Sequence, residues 1–277
     1  MRAPIKLWAC VLFLAALFGE WDVRASLAGI SLTSAPPPGM VYIAAGVYMP
    51  LFQGGSAGAQ VTVQAFYLDR YPVTNARYLA FVQAQAQWRR SHVPRLFADA
   101  AYLQHWQGDI PPAEVTAAWL QSPVTHVSWF AARAYCAWQQ KRLPSSAAWE
   151  YAALASDSAP DGLQDAAYRE RLLEWYTRPA PAVPPPVGSS GPNYWGVYDM
   201  HGVIWEWVAD FQTALMAGES RSEGNIDRDL FCGAGTTGVT AQQRVNYPAF
   251  MRYAYRSSLR GTYTVPNLGF RCAKDMP

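Results

Sequence analysis

The stretch from Asn193 to Asp210, NYWGVYDMHGVIWEWVAD, constrains this chain more than any other. It crowds tryptophan and tyrosine against the carboxylates Asp199, Glu206 and Asp210. A strand buried on both faces does not tolerate unpartnered charge, and a solvent-facing loop has no use for so much indole. Gly196 and Gly202 mark points where the backbone bends or comes close to something. Asp199 and Glu206 bracket the turn at Gly202, so side-chain oxygens and intervening carbonyls are spaced to converge on one point. Hard cations such as calcium bind mixed oxygen shells of this kind. The competing reading is an aromatic core strand whose acids are ordinary turn residues.

The 277 residues, 51% hydrophobic, suit one large domain or two small ones and exclude a disordered chain. A net charge of +2 gives no sign of a nucleic-acid surface. Residues 1–25 read as a secretory signal: Arg2 and Lys6 lead into an apolar run from Leu7 to Phe18, and Val23-Arg24-Ala25 offers a peptidase site. The run is short for a bilayer span, although a retained N-terminal anchor is the alternative. The expected mature chain starts near Ser26 and is periplasmic or secreted. Residues 26–39, with Pro36 to Pro38, read as a flexible leader, and residues 40–277 as the domain. Without Cys10, the cysteines left are Cys136, Cys232 and Cys272, enough for one disulfide and a spare thiol.

Along the domain, Met40 to Tyr48 and Val61 to Leu68 read as strands. Helices follow from a cap at Thr74 or Asn75, from Ser128 through Trp129 to about Gln139, and from Ser145 or Ser146 through Leu154. The second helix turns Cys136 inward with Trp129 and Ala132. Residues 87–121 carry no regular pattern, and His92 and His105 within them read as surface or packing histidines. Prolines exclude regular structure from most of the second half of residues 157–185.

Three ordered motifs, Arg142-Leu-Pro-Ser-Ser-Ala-Ala-Trp-Glu-Tyr151, Gly196-Val-Tyr-Asp-Met-His-Gly-Val-Ile-Trp-Glu-Trp207 and Asn267-Leu-Gly-Phe-Arg271, closely resemble the formylglycine-generating enzyme family, also called sulfatase-modifying factors. The resemblance spans about Met40 to Lys274. It implies a single α+β domain of the sulfatase-modifying-factor fold, a C-type-lectin-like variant low in regular secondary structure. It pairs Cys136 with Cys272 and makes the calcium ligands Asp199 and Glu206 through their side chains, with Gly202 and Ile204 through their carbonyls. Val203 departs from the asparagine usual in the family.

The family's hallmark enzyme oxidises a substrate cysteine through two cysteines that bind Cu(I), a metal selected by soft thiolates. Counting back from Gly269 places Gln243 and Pro248 at those positions, so no copper dithiolate is expected. Cys232, before the Gly233-Ala-Gly235 turn, is either a small core residue, or a reactive thiol or single metal ligand with His201. Gln243, Pro248, Arg252 and Cys232 form the candidate pocket. Arg244, Arg252, Arg256 and Arg260, with Tyr247, Tyr253, Tyr255 and Tyr263, either line a groove for an anionic or aromatic ligand or form structural pairs. As a strand, this segment would put Arg252, Ala254 and Arg256 on one face.

Lack of the cysteine pair, together with the secretory signal, resembles the PvdO-like and NirV-like branches. The reading is therefore an exported accessory or maturation protein, conceivably an oxidoreductase, acting on a periplasmic protein or small-molecule precursor. The alternative is a non-catalytic C-type-lectin-like binding module, and a true formylglycine-generating oxidase is the least favoured. No nucleic acid, no membrane after signal cleavage, and a monomer are expected.

Overall fold

The computed structural model describes residues 35–50, 60–212 and 241–277, with the backbone alone over 241–246. Cys232, the signal segment and most of the leader lie outside the described residues. Where single strands were expected the chain breaks twice. β1 (Met40–Ile43) and β2 (Gly46–Tyr48) replace the first, β3 (Val61–Val63) and β4 (Phe66–Asp69) the second. β2 and β3 pair with each other, while β4 lies between β1 and β7 (Ala273–Asp275) in an antiparallel sheet. Every residue of β4 is buried, as befits a central strand.

Four helices begin at hydroxyl caps, and those at Thr74, Ser128 and Ser145 are the anticipated ones. Thr74 accepts from the Arg77 amide at the start of α1 (Asn75–Ala84), Thr116 from Trp119 at α2 (Ala117–Gln121), Ser128 from Ala131 at α3 (Trp129–Trp138), and Ser145 from Ala148 at α4 (Ser146–Ala153). Each such cap stabilises by about 1 kcal/mol. Three helices depart from expectation, the first being α2, which lies within residues 87–121 where no regular pattern was read. α5 (Ala166–Thr177) starts where Asp165 caps the amides of Ala167 and Tyr168, ahead of the prolines that stop it. α6 (Ala241–Ser258) occupies the segment read as a strand. The alternation of Arg and Tyr over 252–256 has a helical meaning instead: Arg252 and Arg256, one turn apart, share a face.

The core is a web of rings, with Tyr135 packed on Tyr78, Phe81 and Phe270 at centroid distances of 5.8, 5.4 and 5.3 Å. The Tyr102 hydroxyl donates to the Trp88 carbonyl at 2.9 Å and so accepts from Tyr78 at 2.7 Å. In the 193–210 stretch only Trp205–Glu206 forms a strand, β5, which runs parallel to β6 (Leu268–Gly269). Gly269 is obligatory there, because an added Cβ would lie 2.3 Å from the Val124 carbonyl oxygen, which is backbone and cannot swing away. Among the described residues no helix is long and apolar enough to cross a membrane.

Cys136 of α3 and Cys272 are joined across a sequence separation of 136, as the resemblance implied. In the chain-entropy model a loop of that length is worth about 4–5 kcal/mol. The double variant Cys136→Ala with Cys272→Ala is expected to lose that much in urea denaturation.

His105 and His126 lie with ring centroids 4.8 Å apart. Burial pushes His105 from the ordinary 6.5 down to about 3, with His126 and Arg90 adding to the effect. Burial also lowers His126. Groups with depressed folded-state values leave the unfolded chain holding more protons below pH 6.5. Stability is therefore fully present above about pH 6.5 and falls as pH drops toward 3. A thermal-denaturation series across that range is expected to show the decline, with a shallower slope for His105→Phe.

Candidate functional site

Two buried ion-pair networks meet at one tryptophan. In the first, Arg271 is fully buried. Its Nε donates to both oxygens of Glu206 at 3.0 and 2.8 Å and its Nη2 to Oε1 at 2.8 Å. The same guanidinium reaches the carbonyls of Asp69 at 3.3 Å, Tyr198 at 2.9 Å and Asp199 at 3.2 Å. In the second, Glu150 of α4 accepts from Arg252 Nε at 2.9 and 3.0 Å and from Arg252 Nη2 at 2.6 Å. Arg256 Nη1 adds a bond to Glu150 at 2.7 Å. Trp149 joins them: its Nε1 donates to Glu206 Oε2 at 2.8 Å, while the guanidinium carbons of Arg252 and Arg256 lie 5.5 and 4.9 Å from its ring centroid.

A cavity of about 600 Å³ opens above this junction, within the usual range for a small-molecule site. Trp175 and Tyr176 of α5, the segment from Met200 to Glu206, Arg252, Tyr255 and Arg256 of α6, and Asn267 line it. Arg252 Nη1 donates to the Tyr176 hydroxyl at 2.9 Å, leaving that O–H to donate to His201 Nδ1 at 3.3 Å. His201 Nε2 faces the Ala153 carbonyl at 2.9 Å and so carries the proton. Burial, and then Arg252, push His201 down to about 3. Tyr176 is raised by burial, which outweighs the lowering by Arg252. Burial raises Glu150, but Arg252 and Arg256 overcome it and hold the carboxyl at about 2. Near neutrality His201 is neutral, Tyr176 protonated and Glu150 ionised.

Of the four residues of the candidate pocket, Arg252 lines this cavity. Pro248 lies inside α6, buried, and the side chain of Gln243 is among those not described. Arg256, Tyr255 and His201 also line the cavity, whereas Arg260 stacks on Tyr263 at 6.0 Å, away from it. Sequence reasoning missed Glu150, Trp149, Trp175, Tyr176 and Asn267. For the first two a partial signal was present, because Trp149-Glu150 repeats the dipeptide Trp205-Glu206; that each glutamate meets an arginine shows only in the structure.

The proposed calcium ligands are brought close together but turned to different partners. The Asp199 carboxylate accepts from the amides of Gly188 and Ser190 and from the Ser190 hydroxyl. Both oxygens of Glu206 accept from Arg271. Gly202 and Ile204 line the cavity, with Gly202 at φ +83° against Trp175. As packed here the set does not fit a calcium ion, because the guanidinium of Arg271 takes the place that a cation would need beside Glu206. A chelator wash is expected to leave the thermal midpoint unchanged. Arg271→Met, which strands a buried carboxylate, is expected to lose about 3–5 kcal/mol in denaturant titration; a midpoint that drops on chelation and returns with calcium alone would instead support the ion.

The family model for the sulfatase-modifying factor enzyme 1-like domain matches residues 30–276. The formylglycine-generating enzyme of Mus musculus is 29% identical, covering 88% of this chain and 78% of its own. The inactive C-alpha-formylglycine-generating enzyme 2 of the same organism is also 29% identical, covering 89% of both chains. The formylglycine-generating enzyme of Streptomyces coelicolor is 30% identical over 78% of this chain and 80% of the relative. With the match running through nearly the whole of the described fold, the chain belongs to the formylglycine-generating enzyme, or sulfatase-modifying-factor, family.

Proposed function

We propose that this chain is an exported accessory or maturation protein of the family, which holds a ligand or a segment of a partner in the cavity between α5, β5 and α6 and does not perform copper-dithiolate oxidation. The observation that carries this reading is the fate of the cysteines. Of the four in the sequence, Cys136 and Cys272 are spent on the disulfide, leaving Cys232 and, in the segment read as a secretory signal, Cys10. At the cavity stand Arg252, Arg256 and Tyr176, which supply hydrogen bonds and charge but no soft sulfur pair.

One observation favours binding over acid–base work within that reading. Proton transfer near neutral pH is best served by a group that titrates there. His201 and Glu150 are held far below neutrality and Tyr176 is raised, so these groups keep one protonation state throughout that range. The cavity is built to hold charge in place, which suits a non-catalytic binding module.

The test is incubation of the mature protein, recovered from the periplasm and starting near Ser26, with Cu(I), oxygen and a cysteine-bearing peptide. The peptide is expected to keep its thiol by mass spectrometry. Formation of an aldehyde that disappears in Cys232→Ser would overturn the proposal and make the chain an oxidase.

A further inference from the structure

We infer that the occupant of this cavity is a flat aromatic monoanion, such as an aryl carboxylate, with its charged group on Arg256 and its ring between Trp175, Tyr176, Trp205 and Tyr255. The inference rests on the reading of the cavity as a binding site and adds the chemical class of what binds.

Charge comes first. Three arginines, Arg178, Arg252 and Arg256, line the cavity against one carboxylate, Glu206. Glu206 is neutralised by Arg271, and Arg178 at the mouth is paired with Glu174. That leaves two guanidinium groups, both about 5% exposed, sharing the single charge of Glu150. Among the described residues the wall thus carries one uncompensated positive charge. A cation is repelled there and a monoanion brings the site to neutrality, whereas a dianion would reverse the imbalance.

The distribution of hydrogen bonds says which arginine is available. Arg252 spends Nε and Nη2 on Glu150 and Nη1 on Tyr176. Arg256 gives a single Nη1 bond to Glu150 among the described residues. Its remaining N–H groups form the planar fork that matches a carboxylate in two parallel bonds.

The ring surfaces complete the site. Trp149 is not open to a ligand ring, because Arg252 and Arg256 lie over it. Trp175, Tyr176, Trp205 and Tyr255 are each half-buried and line the space. Trp205 and Tyr255 pack at 4.4 Å, and Trp175 rests on His201 at 5.7 Å, so one face of each platform is supported from behind. A ligand ring stacked there adds dispersion and quadrupole contacts without ordering the wall first.

The experiment is isothermal titration of the mature protein with three probes of one shape: 2-naphthoate, the neutral 2-naphthamide, and the cationic 2-naphthylmethylamine. The expected order is naphthoate tightest, the amide at least about tenfold weaker, which is the scale of a charge-assisted hydrogen bond, and the amine weakest. Arg256→Met should remove the preference for the anion, and Arg256→Lys, which keeps the charge without the fork, should restore part of it. Glu150 keeps its two-point bond to Arg252 in both variants, so folding is preserved. The comparison of probes on the unaltered protein needs no variant. Equal binding of acid and amide, both lost in Trp205→Ala, overturns the anion and leaves the cavity reading standing. Naphthoate binding that survives both Arg256→Met and Trp205→Ala, or no binding by any probe, overturns the inference, and the former also removes this cavity as the site.

Discussion

The structure depends first on the pairing of Arg271 with Glu206. A guanidinium with no exposed surface is tolerable only when its charge is balanced and its N–H groups are taken up. Here Glu206 supplies the charge and the carbonyls of Asp69, Tyr198 and Asp199 take further donors. One side chain thereby fixes the end of β4, the turn before Gly202 and the strand β5 relative to one another. The next residue extends the clamp: the Cys272 amide donates to Asp69 Oδ2 at 3.0 Å, and Asp69 in turn holds Lys141 at 2.6 Å. The disulfide to α3 starts from the same residue.

Trp149 carries this rigidity to the cavity. Its indole N–H is fixed by Glu206 and its ring is faced by the two arginines of the second network. The arginines thus stand on a platform tied to the most deeply buried ion pair among the described residues. Preorganised charge of this sort costs little to use, because it is desolvated and oriented when the chain folds and not when a ligand arrives.

Much of the frame was legible in the sequence, because it rests on local rules. Thr74, Ser128 and Ser145 announce their helices by hydroxyls placed to meet free amides, and the three motifs identified the family. The partners of the carboxylates were not legible. Glu206 lies 65 residues from Arg271 and Glu150 lies 102 from Arg252, and no local pattern distinguishes an acid that meets a metal ion from one that meets a guanidinium. Hence Asp199 and Glu206 read as metal ligands. The segment at 252–256 misled for another reason: a residue pattern of alternating arginine and tyrosine has a period of two, but Pro248 and the surrounding polar residues fix no periodicity, and packing of α6 beside α5 decides the matter. Helix α5 was hidden by the prolines that follow it.

The position of residues 268–275 has a consequence for assembly. This short segment supplies β6 to β5, the arginine to Glu206, the half-cystine to α3 and the strand β7 to β4. Each contact spans a long stretch of sequence, so loop-closure entropy is spent before any of them is gained and closure is slow by topology. Until the segment arrives, Glu206 lacks its arginine, Asp69 lacks the Cys272 amide, and β4 presents an open edge toward β7. The fold therefore remains incomplete, and exposed to aggregation, until residues 268–275 have docked.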